Sequence, residues 1–207
     1  MRRKILSKFQ DFHLSTILLR KLRKHLFGKK FTKDHGIHNL SEGFNIMVSS
    51  MMITREKLIC LGELPEFSAF IVEGIMEQKL LPVEPGQLAI NGYRPGEGLI
   101  PHIDKSQDYG DEVIGISLGS DIIMDLVGPK GEKIPILLPR RSLYILQGEA
   151  RYVWKYGIPG RKTDKLKDGK ILIQNTRAFL TYRIDITKDG QIHIPPKQTQ
   201  KNENLES

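Results

Sequence analysis

At 207 residues the chain suits one domain with a single sizeable core, and a composition with 39% hydrophobic residues excludes disorder throughout. No apolar run reaches the length of a membrane span, and Cys60, the lone cysteine, excludes an internal disulfide and suits a reducing compartment. The net charge of +8 is lopsided: residues 1–33 carry eleven Lys and Arg against Asp11, or +10, which leaves −2 for the other 174. The pI near 9.5 therefore reports a basic N-terminal segment and not a basic domain surface.

Within residues 1–33, Leu14, Leu18, Leu22 and Leu26 recur every four positions, widened by Ile17, Leu19 and Phe27, and Arg20, Lys21, Arg23 and Lys24 fill the other side. The pattern is a basic amphipathic helix. It suits a helix packed on the domain, a mitochondrial presequence, a contact with a nucleic-acid backbone or a membrane-surface contact. No secretory signal is expected, because the basic start leads into no uninterrupted apolar stretch.

Residues 34–54 are irregular in pattern. Pro65 to Lys79 predicts a helix, with Phe67, Phe70, Ile71, Gly74, Ile75 and Met76 near helical spacing, and Pro82, Pro85 and Gly86 close it. Short strand-like runs follow: Gln87–Tyr93, His102–Asp104, Val113–Leu118, Asp121–Val127, Ile134–Leu138, Ser142–Leu146, Arg151–Trp154, Ile171–Gln174 and Arg177–Asp185. Gly128-Pro129-Lys130-Gly131 reads as a hairpin connection. Many short strands preceded by helix predict a mainly β domain, a jelly-roll or barrel with supporting helices, over 34–195. The polar segment 196–207 reads as a disordered tail.

His102-Ile103-Asp104 is the first chemical candidate. On a strand, residues two apart share a face, so imidazole and carboxylate could converge on one ion. Such a pair is also two-thirds of the His-His-carboxylate set of non-haem Fe(II) oxygenases. By itself His-x-Asp is common, and a hydrogen-bonded surface pair accounts for it equally well.

The surroundings add more. Asn91-Gly92-Tyr93-Arg94-Pro95-Gly96, followed five residues later by His102-Ile103-Asp104, resembles the Asn-x-Tyr-x-Pro-Gly-x5-His-x-Asp signature of the AlkB family. Ile116 to Ser120 with Met124-Asp125, then Gly148-Glu149-Ala150-Arg151-Tyr152, look like its successive core strands. Arg177 to Arg183 matches its Arg-x5-Arg signature, and Leu64-Pro65-Glu66-Phe67 is similar to a segment upstream of its metal site. The likeness covers roughly residues 60–185, and residues 1–50 match poorly.

The resemblance implies a double-stranded β-helix (jelly-roll) that uses Fe(II) and 2-oxoglutarate. It implies His102 and Asp104 as metal ligands, with Asn91, Tyr93 and Arg177 on the co-substrate and Arg183 near its metal-bound end and Asp104. Spacing independently puts Arg177, Phe179, Thr181 and Arg183 on one face of a strand; two arginines inside a barrel call for anionic partners, whereas a solvated sheet face would need none. The implied reaction consumes O₂ and 2-oxoglutarate and removes an N-alkyl group as an aldehyde. The implied substrates are alkylated DNA or RNA bases, flipped or single-stranded to reach the site, or a protein. A monomer is expected, with no transmembrane segment, inside the cell: in nucleus or cytoplasm, or in the mitochondrion if the basic helix is a presequence. From Arg151 to Lys170, seven basic residues face only Asp164 and Asp168, a net +5 that suits phosphates or simply a solvated loop.

One position departs from the family pattern. Trp154-Lys155-Tyr156-Gly157-Ile158 stands where a Trp-Lys-His-Gly-Ile pattern would place the second histidine ligand. The remaining histidines, His13, His25, His35, His38 and His193, all lie outside the motif region. A neutral imidazole binds Fe(II) without losing a proton, whereas a phenol must ionise first. Tyr156 is therefore compatible with an impaired domain acting as a binding module, with phenolate ligation, or with iron held by two protein ligands and co-substrate. A metal-free jelly-roll that binds a protein partner is a further alternative.

Overall fold

The computed structural model describes residues 66–186 together with 44–49, 52–53, 58–59, Leu64 and 190–192. The basic amphipathic segment 1–33, the tail 196–207 and the five other histidines lie outside the described residues.

Two sheets form the architecture. The first has five strands in the order β1 (Phe44–Ser49), β4 (Gln87–Tyr93), β13 (Arg177–Asp185), β6 (Tyr109–Leu118) and β9 (Ser142–Leu146). The second has four, in the order β5 (Leu99–His102), β10 (Lys155–Ile158), β7 (Ile122–Val127) and β8 (Lys133–Leu138). Two small hairpins are added, β2 (Met52–Ile53) with β3 (Leu58–Ile59), and β11 (Thr163–Lys165) with β12 (Ile171–Ile173). All the pairings are antiparallel. The domain is mainly β, with the double-stranded β-helix arrangement expected.

Strand β13 explains the layering. Every one of its residues is buried because both of its faces are covered. Ala178, Leu180, Tyr182 and Ile184 join Leu88, Ile90, Ile114 and Ile116 beneath the helix α1 (Ala69–Glu77), which contributes Ile71, Val72 and Ile75. Each of the Leu, Ile and Val side chains among them stabilises the fold by about 1.5–3 kcal/mol when fully buried. Phe179 turns the other way, into a second core with Val113, Met124, Leu126, Trp154 and Tyr156 between the two sheets. The alternate residues Arg177, Thr181 and Arg183 share that inter-sheet face, because side chains alternate along a strand. Polar chemistry is thereby carried into the space between the sheets.

Several sequence expectations need correction. The helix expected over Pro65–Lys79 is a 3-10 turn, Glu66–Ser68, followed by α1, and the irregular stretch 34–54 holds β1 and β2. β5 ends at His102, so Asp104 lies in the loop after it and not on the strand. Arg151–Trp154 is not a strand: Glu149–Tyr152 is a short helix, α2, entered through Gly148 at φ 55°, a left-handed conformation suited to glycine. The strands β10 and β11 were not expected. The hairpin at Gly128–Gly131 forms as expected, with the Gly131 amide donating to the Gly128 carbonyl at 3.0 Å. No helix among the described residues is long and apolar enough to cross a membrane.

Candidate active site

The site has two ends joined by β13. At one end the register pairs Arg177 with Tyr93 and Phe179 with Asn91, which places Asn91, Tyr93 and Arg177 on one sheet face. The Arg177 guanidinium carbon stands 4.7 Å from the centre of the Tyr93 ring, a cation–π distance. Arg177 is fully buried, yet its hydrogen bonds all reach neutral acceptors: the Arg94 carbonyl at 3.4 Å, the Glu97 carbonyl at 2.5 Å and the Gln174 side-chain carbonyl at 3.2 Å. Its Nε is buried without a hydrogen-bond partner. Burial lowers the pKa of this arginine, with Tyr93, Asp164 and Glu97 opposing, and raises that of the Tyr93 phenol. A buried cation satisfied only by dipoles is costly until an anion reaches it.

At the other end β10 pairs with β5 so that Tyr156 lies directly opposite His102, their ring centroids 4.4 Å apart. His102 Nδ1 is 2.9 Å from the Ile100 carbonyl. A carbonyl only accepts, so that contact puts a proton on Nδ1, and Nε2 is the ring nitrogen that faces Asp104 Oδ1, at 3.8 Å. Arg183 holds Asp104 with two hydrogen bonds, Nε to Oδ2 at 3.1 Å and Nη2 to Oδ1 at 3.0 Å, and its Nη1 donates to the Gln87 side-chain carbonyl at 2.6 Å. Burial works against the Arg183 charge, but the paired Asp104 outweighs it and holds the pKa above the usual value. The Tyr156 hydroxyl donates to Asp104 Oδ2 at 3.0 Å. Burial first, then the Asp104 charge, keeps that phenol well above its ordinary pKa, so the neutral form is favoured.

The sequence left some participants unnoticed. Arg151, only 2% exposed, donates to the carbonyls of Asp104 (2.7 Å), Lys105 (3.3 Å), Tyr109 (3.2 Å) and Gly110 (3.2 Å), and so fixes the loop that carries Asp104. Tyr144 lies across Gly115, where a Cβ would run into its ring, and is buried close enough to Asp104 to feel its charge. Gln174 and Asp164 reach the site from the β11–β12 hairpin.

The family model of the 2OG-Fe(II) oxygenase superfamily matches residues 59–187, most of the chain. The chain belongs to that superfamily. Within it the chain is AlkB-like. It is 42% identical over 106 residues to the tRNA (carboxymethyluridine(34)-5-O)-methyltransferase alkbh8 of Xenopus tropicalis, a match spanning 51% of this chain and 17% of that protein. It is 41% identical over 143 residues to Uncharacterized protein L905 of Acanthamoeba polyphaga mimivirus, spanning 67% of each. The solved structure of OsALKBH1 shares the fold at a TM-score of 0.55 and 15% identity, covering 84% of this chain and 94% of that one.

The cofactors of the superfamily are Fe(II) and 2-oxoglutarate. The Arg177 end fits 2-oxoglutarate: a buried guanidinium with neutral partners and an unpartnered Nε suits a carboxylate. The His102 end fits iron at two protein positions. Two donors already occupy Asp104 Oδ2, while Oδ1, with one donor from Arg183, keeps a lone pair 3.8 Å from His102 Nε2. Tyr156 does not fit as a third ligand, since its phenol is neutral and directed at Asp104. Among the described residues no three His, Cys, Asp or Glu side chains gather, so none of them replaces it.

Proposed function

We propose that this chain is an AlkB-type Fe(II)/2-oxoglutarate dioxygenase domain that oxidises an alkylated nucleic-acid base, with RNA the favoured substrate over DNA or protein. The observation that carries the reading is Arg177, a fully buried cation between Tyr93 and neutral acceptors, opposite a His102–Asp104 pair on the same inter-sheet space. Arg177, with Asn91 and Tyr93, would take the distal carboxylate of 2-oxoglutarate. His102 Nε2 and Asp104 Oδ1 would hold the iron, and Arg183 orients Asp104 with two hydrogen bonds. When bound, the iron and co-substrate supply the oxidising power: O₂ and 2-oxoglutarate become succinate and CO₂ as an N-alkyl C–H becomes C–OH, and the alkyl group then leaves as an aldehyde.

Support for an RNA substrate comes from the names of relatives and from the hairpin. The Xenopus relative carries a tRNA-modifying name, and another is named N6-methyladenosine RNA demethylase ALKBH. Lys162, Lys165, Lys167 and Lys170 are exposed on and beside β11–β12, where cations can pair with phosphates. Such a substrate and such cofactors fit an intracellular compartment.

A second reading rests on the Tyr156–Asp104 hydrogen bond. A phenol in the third ligand position, already committed to the carboxylate, suits a domain that binds 2-oxoglutarate and a partner without turnover. Anaerobic titration of the full chain with Fe(II) and 2-oxoglutarate separates the two. A metal-to-ligand charge-transfer absorption, followed by succinate formation once O₂ is admitted, supports the dioxygenase; no succinate, with turnover gained by Tyr156→His, supports the binding module.

A further inference from the structure

Strand β12 leads directly into Gln174, which is 2% exposed and stands between two charged groups. Its side-chain NH₂ donates to Asp164 Oδ2 at 2.8 Å, and its side-chain carbonyl accepts from Arg177 Nη1 at 3.2 Å. A carboxylate only accepts and a guanidinium only donates, so both contacts are made in one amide orientation alone. Asp164, 1% exposed, is held in turn by Arg161, with Nε and Nη2 each 2.5 Å from Oδ1, and by the Ile123 amide, 3.3 Å from Oδ2. The Gln174 amide donates to the Lys162 carbonyl at 2.9 Å, which closes the base of the hairpin. A continuous chain therefore runs from the exposed Arg161 through the buried Asp164 and Gln174 to Arg177.

We propose that Gln174 and Asp164 are positioning residues for 2-oxoglutarate: Asp164 sets the Gln174 amide, and that neutral amide aims the Arg177 guanidinium without cancelling its charge. The inference rests on the co-substrate reading of Arg177 given above. A carboxylate in direct contact with Arg177 would form a closed ion pair and compete with the incoming distal carboxylate. Here the nearby carboxylate is neutralised by Arg161 instead, one side chain further out. The relay passes orientation to Arg177 and leaves its charge for the ligand. Because Asp164 and Arg161 belong to the hairpin segment, the same chain ties the exposed basic element to the co-substrate end of the site.

The test compares two ligands on the full chain in the presence of Mn(II), by calorimetric titration. 2-Oxoglutarate carries the distal carboxylate; 2-oxobutyrate keeps the oxo-acid end and lacks it. Gln174→Met removes both side-chain hydrogen bonds at similar volume, and Asp164→Asn, which frees the amide to turn, serves should the first variant fold poorly. Loss of one hydrogen bond to a buried charged group predicts 2-oxoglutarate binding weakened about tenfold in each variant, with 2-oxobutyrate unchanged. Equal weakening of both ligands would make the role merely structural and overturn the proposal. Unchanged 2-oxoglutarate binding in both variants would overturn it alone, leaving the co-substrate reading intact. An unmodified chain that binds no 2-oxoglutarate would remove that reading and the proposal together.

Discussion

The hydroxyl of Tyr156 donates to Oδ2 of Asp104 across 3.0 Å, joining residues 52 apart in sequence in one buried contact. With the two Arg183 contacts, Asp104 receives three hydrogen bonds, and only Oδ1 stays open towards His102. In the proposed metal site the tyrosine would therefore act through the Asp104 carboxylate and not as a third donor.

Substitution at this position gives the sharpest prediction. Tyr156→His places an imidazole opposite His102 and is expected to tighten Fe(II) binding by at least about tenfold. Tyr156→Phe keeps the ring and removes one of the three hydrogen bonds that hold Asp104, so Fe(II) affinity is expected to fall by about tenfold. Anaerobic Fe(II) titration in 2-oxoglutarate measures both. A collapse well beyond about a hundredfold in Tyr156→Phe would show that the tyrosine does ligate.

Arg151 ties down the loop from Asp104 to Gly110 through four carbonyls. Arg151→Met leaves those acceptors short of donors, and a loss of about 2–4 kcal/mol is expected. For a domain of this size that lowers the unfolding midpoint by about 5–10 °C. Hydrogen exchange should accelerate at the amides of residues 104–110 before it does elsewhere, and uniform acceleration would contradict a local clamp.

Asp185 carries a pH dependence of known sign. Burial raises its carboxyl from 3.8 to about 6, with Arg183 opposing and Asp108 reinforcing, and its Oδ2 is buried without a partner. The fold thus prefers the protonated form, so this stabilising contribution is complete below about pH 3.8 and is lost as pH rises through about 6. Discounted for partial solvent contact, the loss is about 1–2 kcal/mol. Asp185→Asn should accordingly raise the midpoint by about 2–6 °C at pH 7.5 and leave it unchanged near pH 3.5. Thermal unfolding at the two pH values checks the sign; an equal gain at both would refute it.

The hairpin cations are expected to act through phosphates. Replacing Lys165, Lys167 and Lys170 together by Gln should weaken binding to single-stranded RNA of any sequence. The slope of log affinity against log salt should shrink by roughly 0.7 for each phosphate contact removed. Binding measured across a salt series decides it, and an unchanged slope would place the RNA elsewhere.

Much of the candidate site was legible in the chain. The Asn91-x-Tyr93 and His102-x-Asp104 spacings, the Arg177-x5-Arg183 pair and the tyrosine in the family's histidine position are all local patterns. Strand alternation alone predicted that Arg177 and Arg183 share a face, and β13 places them so. Local pattern could not tell which face of β13 meets the second sheet, because both are buried and the strand lacks a simple apolar–polar alternation. Nor did it show that Glu149–Tyr152 turns as a helix, an outcome that depends on the Gly148 backbone and on Arg151 finding carbonyls some 40 residues back. The direction of the Tyr156 hydroxyl, the double hold of Arg183 on Asp104 and the relay from Arg161 to Arg177 all join residues brought together by sheet closure and hairpin folding. Sequence determined which donors and acceptors the chain possesses and their spacing along each strand. Only tertiary structure decided which met, because hydrogen bonds and ion pairs act over about 3 Å and that proximity is set by how the sheets pack.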